Sequence, residues 1–158
     1  MTTMKEAATQ FLAEPRIAVT GVSRNAAGHG SNAVYQRLRS RGYEVFAINP
    51  NAEQVEGDRC YPDLRSIPDG VEAVIIGTKA ERAEETMHEC DALGIKHVWM
   101  HRGPGPGSVS PTATEYGRAH GIAVIDGGCP CMFGATADSG HKAMRAFLTL
   151  TGNVPRRV

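Results

Sequence analysis

The chain has 158 residues, 41% of them apolar, which suits one ordinary domain able to bury a core without disulfides or a structural metal. Its 17 basic residues balance 17 acidic ones, so bulk charge steers it to neither nucleic acid nor anionic membranes, and any anion site must be local. No apolar run approaches bilayer length, and Met1 to Pro15 carries Lys5, Glu6 and Glu14 where a secretory signal needs an unbroken apolar stretch; a cytoplasmic protein with no membrane partner is expected.

An amphipathic helix is predicted over Thr3 to Ala13, and a first strand over Arg16 to Thr20. A small-residue loop follows. Ser31 is expected to cap the next helix, which turns Val34 and Leu38 inward and stops at Gly42. Further strands are predicted over Glu44 to Ile48, Ala73 to Gly77, Lys96 to Met100 and Ile122 to Asp126. Ala80, Ala83, Met87 and Cys90 recur at helical spacing on the crossover that Gly94 ends. Ser108 to His120 forms another, with Pro111 in its first turn and Ala113, Tyr116 and Ala119 toward the sheet. A terminal helix runs from about Asp138 to Gly152, with Met144, Phe147 and Leu148 on one side. This alternation predicts an α/β fold: a single Rossmann-like domain over 1–158, an open parallel sheet of about five strands flanked by helices. Its core spans 16–130 and a C-terminal helical extension 138–152. Gly103-Pro104-Gly105-Pro106-Gly107 is too short to separate domains, and its place after the fourth strand puts it at the carboxyl edge, where open α/β sheets bind ligands.

The chemistry concentrates at the first loop. Ile17-Ala18-Val19-Thr20-Gly21-Val22-Ser23-Arg24, followed by Gly28-His29-Gly30-Ser31, runs an apolar strand into glycines and a helix start, an arrangement that offers backbone N–H groups and a positive helix end to phosphate. The glycine spacing departs from G-x-G-x-x-G, and no Walker Gly-Lys-Ser/Thr follows. An NAD site needs an acid at the end of the second strand, but Asn49-Pro50-Asn51 stands there. A missing carboxylate suits a nucleotide with a phosphate on its ribose.

Strand, Gly-Val-Ser-Arg loop, helix, Gly42-Tyr43-Glu44-Val45, Asn49-Pro50, Cys60-Tyr61-Pro62-Asp63-Leu64, Ile67-Pro68, Gly94-Ile95-Lys96 with Trp99, and Cys129 after the last strand: that order resembles the small CoA-binding proteins, which share the fold of the succinyl-CoA synthetase α-subunit N-terminal domain. The resemblance covers about Arg16 to Cys129. It implies coenzyme A, or an acyl-CoA, as the ligand. Gly21, Val22, Ser23 and Arg24 would approach the pyrophosphate, with Gly28, Gly30 and Ser31 completing the cradle. Asn49 and Pro50 would border the adenosine, and Thr78 and Lys79 the pantetheine arm or the adenine, with His101, Arg102 and Gly103 nearby. Many relatives place a lysine directly after Asn-Pro, suited to the ribose phosphate; Asn51 stands here, leaving Lys79, Arg24 or His29 to supply a cation.

Cys129-Pro130-Cys131 and His141 raise the question of metal. Cys-x-Cys is tight for two ligands and no second pair lies at finger spacing, so no metal site is expected; the bland reading of Cys129 is packing, the sharp one a thiol meeting the CoA sulfur. Two function classes follow. One is a non-catalytic CoA-binding or regulatory protein, since 158 residues leave no room for the ligase's second domain. The alternative is an enzyme, either an NAD(P)-dependent oxidoreductase or a thiol-dependent CoA redox or transfer catalyst using Cys129. A homodimer is plausible for a small sheet domain.

Overall fold

The computed structural model describes residues 2–25, 29–134 and 137–158. In chain order these form α1 (Met4–Leu12), β1 (Arg16–Thr20), α2 (Gly30–Ser40), β2 (Glu44–Ile48), β3 (Gln54–Val55), β4 (Asp58–Tyr61), β5 (Ala73–Ile76), α3 (Ala80–Ala92), β6 (His97–Met100), α4 (Pro111–Ala119), β7 (Ala123–Asp126) and α5 (Ser139–Leu150). Single 3₁₀ turns occupy Leu64–Ser66 and Pro130–Met132. The strands make one sheet in the order β3-β4-β2-β1-β5-β6-β7, parallel except for β3. From β1 the chain builds outward through β2 to β4, then returns to β1's other side at β5. The crevice at the carboxyl ends of β1 and β5 is therefore the topological switch point, where doubly wound sheets hold their ligands.

Residue alternation explains the layers. Ile17 and Val19 of β1 enter one apolar cluster with Phe11, Val34, Leu38 and Trp99, whereas Ala18 enters the other with Met87, Cys90 and Ala113. Trp99 is fully buried, meets Phe11 edge-on at 5.4 Å, and donates its indole N–H to Gly127 O at 2.8 Å. Burying so large a ring is affordable because its one polar atom is paired. The helices between strands finish alike: Tyr43 N–H returns to Leu38 O at 3.2 Å, Ile95 to Cys90 and Ile122 to Gly117 at 2.9 Å, each bond turning the chain into the next strand. None of the described helices is long and apolar enough to cross a membrane.

Several expectations are corrected. The sheet has seven strands rather than about five, because Gln54 to Tyr61 folds into a hairpin whose two turn residues, Glu56 and Gly57, both have positive φ (52° and 80°). That is the primed turn favoured by strand twist, here built on Glu-Gly rather than the usual Asn-Gly or Asp-Gly. Ser31 does not cap α2; His29 holds that position without a side-chain bond, and Ser31 lies inside the helix. On α4 the buried residues are Ala113, Thr114 and Gly117, while Ala119 is exposed. A Cβ at Gly117 would come within 2.6 Å of Val124, so this close approach sets the rotation of the helix. On α5 Leu148 is buried but Met144 and Phe147 are 37% and 63% exposed. The side that packs inward carries His141, Arg145 and Leu148, with Arg145 donating to Met132 O at 3.2 Å and lying over Phe133. Polar anchors, not the apolar stripe, orient this helix.

Candidate functional site at the carboxyl edge

Three segments press together at the switch point. Gly21, immediately after β1, has φ +77°, and a Cβ there would lie 2.7 Å from Gly77 O; a Cβ at Gly77 would lie 2.0 Å from Ser31 Oγ and 2.6 Å from Thr20 O. These glycines thus answer first to each other. Ser31 Oγ donates to Gly77 O at 3.2 Å, and Gly77 N–H donates to Thr20 Oγ1 at 3.0 Å, so the end of β1, the start of α2 and the end of β5 form one rigid unit.

The loop after Gly21 is held by two asparagines. Asn32, buried on α2, accepts from Ser23 N–H and donates to Ser23 O, both at 2.8 Å, and reaches Glu56 Oε1 at 2.7 Å. Asn49 donates to Val22 O at 2.9 Å and accepts from Asn51 N–H at 2.9 Å. Asn49 therefore fixes the loop and its own turn, with both ends of its amide engaged. Asn32 went unnoticed in the sequence, where its only signal is an amide one residue after Ser31 at a buried helix position. Val22 is fully buried, Ser23 half-buried and Arg24 exposed. Gly28 lies outside the described residues.

Of the five described helices, α1, α4 and α5 have side-chain caps from Thr3, Ser110 and Asp138, whereas the N-cap residues of α2 and α3, His29 and Lys79 at the switch point, make no side-chain cap bond. Their first N–H groups carry the positive end of the helix dipole toward the same edge. Lys79, exposed, precedes α3. The His101 ring packs over Gly30, with Cε1 3.3 Å from where a Cβ would stand, and burial pushes its pKa below the ordinary histidine value, so the ring is neutral at pH 7. Arg102 N–H donates to Gly128 O at 2.9 Å and Ser108 N–H to His101 O at 2.8 Å, closing the loop that contains Gly103. Among the described residues, the buried side-chain polar atoms without a partner are Thr78 Oγ1 and Arg102 Nε. Both belong to this edge.

Beyond the end of β2, Pro50 and Asn51 line a groove of about 760 Å³ together with Glu53 and with Gln54 and Arg59 of the β3–β4 hairpin. Arg59, stacked over Tyr61 at 5.1 Å, lines the same groove as Asn51, brought there by the hairpin. A smaller cavity of about 220 Å³ lies along β7 among Phe11, His97, Ile125 and Val158, and contains none of the expected binding residues.

Cys129 follows the edge strand β7, one residue after the Gly128 carbonyl that accepts from Arg102 N–H. Its thiol is buried (6% exposed) beside that of Cys131 (2%). A hydrogen bond between the two thiols pushes Cys129 well above the ordinary thiol range and holds Cys131 below it, with the Arg37 charge favouring both thiolates. His141 Nδ1 lies 2.8 Å from Asp138 Oδ2, which Arg37 meets at 2.5 Å.

Residues 15–135 match the family described as the CoA binding domain. The chain belongs to that family. This CoA binding domain is 31% identical over 117 residues to an ADP-forming acetate–CoA ligase II of Archaeoglobus fulgidus, a match covering 69% of the chain but 17% of the ligase. It therefore spans about a sixth of that enzyme. Among solved structures it resembles a hypothetical protein from Pyrococcus horikoshii OT3, with 27% identity and a TM-score of 0.72 over 80% of this chain and 86% of that one. It also resembles a dinucleotide-forming acetyl-coenzyme A synthetase 1 of Candidatus Korarchaeum cryptofilum in complex with phosphate and ADP, with 25% identity and a TM-score of 0.58 over 70% of this chain and 25% of that one. Every expected binding residue from Gly21 to Cys129 falls within the family's span; Asp138 and His141 fall beyond it.

Proposed function

We propose that this CoA binding domain holds coenzyme A, free or acylated, across the switch point as a binding or regulatory protein rather than as an enzyme in isolation. The observation that carries the reading is the pair of buried, unpartnered polar atoms, Thr78 Oγ1 and Arg102 Nε, at the edge where α2 and α3 begin uncapped. A buried donor left unsatisfied costs about 1–3 kcal/mol, so such groups are completed by ordered water or by a ligand, and the place of both at this edge supports a ligand there. The diphosphate would lie against the Gly21–Ser23 loop and the first turn of α2, with the adenosine toward the groove at Pro50 and Asn51. Arg59 would supply the cation for the ribose phosphate that Asn51 does not.

Asn49 in place of an acid supports CoA over NAD, because no carboxylate is there to hold the ribose hydroxyls. The buried Cys129 thiol, pushed to high pKa, argues against thiol catalysis, which needs an exposed thiolate. Isothermal titration with CoA, dephospho-CoA, NAD and NADP tests the reading: heat with CoA, less with dephospho-CoA and none with NAD is expected, and no heat with any CoA form refutes it.

A further inference from the structure

We propose that Cys129, Cys131 and His141 form a site for a borderline-soft divalent metal ion, zinc being the best match. The two sulfurs and a His141 ring nitrogen lie within 4.8 Å of one another. A tetrahedral zinc with Zn–S of about 2.3 Å and Zn–N of about 2.0–2.1 Å sets its ligand atoms about 3.5–3.8 Å apart. Closing the remaining gap takes side-chain movement of about an ångström. Cys129 precedes and Cys131 lies within the 3₁₀ turn that starts at Pro130, whose ring fixes the backbone between them. The third ligand arrives from the inward side of α5, the side this helix turns to the body instead of its apolar stripe.

The surroundings match what metal-binding histidines require. Asp138 caps α5 by accepting His141 N–H at 2.8 Å, and the same carboxylate meets the ring at Nδ1. An ionised carboxylate only accepts, so Nδ1 bears the proton and the lone pair a metal needs is on Nε2. Arg37 of α2 pins Asp138 in turn. Two thiolates neutralise a divalent ion, which makes the buried site electrically inexpensive, and the two thiol protons leave to solvent. Three protein ligands leave a fourth position for water or another donor. Burial of both thiols favours a metal over a redox dithiol, which a partner would have to reach. Cys129 and Cys131 lie within residues 15–135 and His141 and Asp138 beyond them, so the site joins the family's domain to the C-terminal extension, and its metal test needs no CoA.

The full chain, stripped of metal by a chelator under reducing conditions, is titrated with Zn²⁺ against a chromophoric chelator and with Co²⁺ for spectroscopy. One equivalent is expected, with a thiolate-to-cobalt charge-transfer band. Cys129→Ser and Cys131→Ser should lose both, and Asp138→Asn should weaken binding about 10–100-fold. Cys60→Ser and Cys90→Ser should leave both intact. Because Cys129 and Cys131 are buried, His141→Gln at a half-exposed position serves as the second test, with circular dichroism recording the fold. The proposal is overturned if the folded wild type takes up no zinc after reduction, or if binding survives in the Cys129→Ser/Cys131→Ser double variant. It is equally overturned if unreduced protein is two hydrogens lighter, from a 129–131 disulfide, and its reduced form ignores metal.

Discussion

At the scale of the residue, the edge of the sheet is over-determined at a few points. Gly21 combines a positive φ with a backbone neighbour 2.7 Å from any added Cβ, so Gly21→Ala meets both left-handed strain and a clash it cannot relieve by rotating a side chain. A loss of about 2 kcal/mol or more is expected from the urea midpoint, together with weaker CoA binding. Arg59 faces a different test: Arg59→Ala should weaken CoA about tenfold and leave dephospho-CoA unchanged, the loss of one charge-assisted contact to a phosphate. Equal losses for both ligands would put the ribose phosphate elsewhere. Asp138 carries a pH signature. Its pKa is held at about 2, chiefly by the His141 backbone N–H and ring. A depressed carboxylate stabilises the fold above its unfolded value of about 3.9, and that contribution is lost as pH falls toward 2. Acid titration of α5 helicity should show this step in the wild type and not in Asp138→Asn.

At the scale of the element, periodicity locates helices more reliably than it orients them. The five strands read from the sequence begin and end within one residue of their predicted limits because each is a short, largely apolar run between turn residues. The hairpin of β3 and β4 escaped because a two-residue strand has no period, the four residues of β4 are mostly polar, and Glu-Gly is a weak turn signal. On α5 the apolar stripe was legible, and the structure sets its direction: Arg145 and His141 find partners in the 3₁₀ turn and the cap, and these turn Phe147 to solvent. Leu148→Ala should therefore cost about 2–5 kcal/mol, whereas Phe147→Ser should change stability by no more than about 0.5 kcal/mol. Thermal melts of the two variants separate these cases; equal destabilisation would mean the helix packs by its apolar side after all.

At the scale of the whole molecule, the doubly wound topology gathers groups that are distant in sequence. The glycine loop, the starts of α2 and α3, and the loop of His101 and Arg102 were each visible as candidate binding segments at the carboxyl ends of strands. What the sequence could not show is how they are locked together. The Asn32 latch, the Arg59 position on the groove and the meeting of Cys129, Cys131 and His141 all depend on tertiary approach by separate elements. The account's central claim is that the carboxyl edge at β1 and β5 is where the ligand sits. The direct measurement is amide chemical-shift perturbation on titrating CoA into the ¹⁵N-labelled chain. Shifts centred on Gly21 to Ser23, Ser31, Thr78 and Arg102 are expected; shifts centred on the cavity of Phe11, His97, Ile125 and Val158, or none, would contradict it.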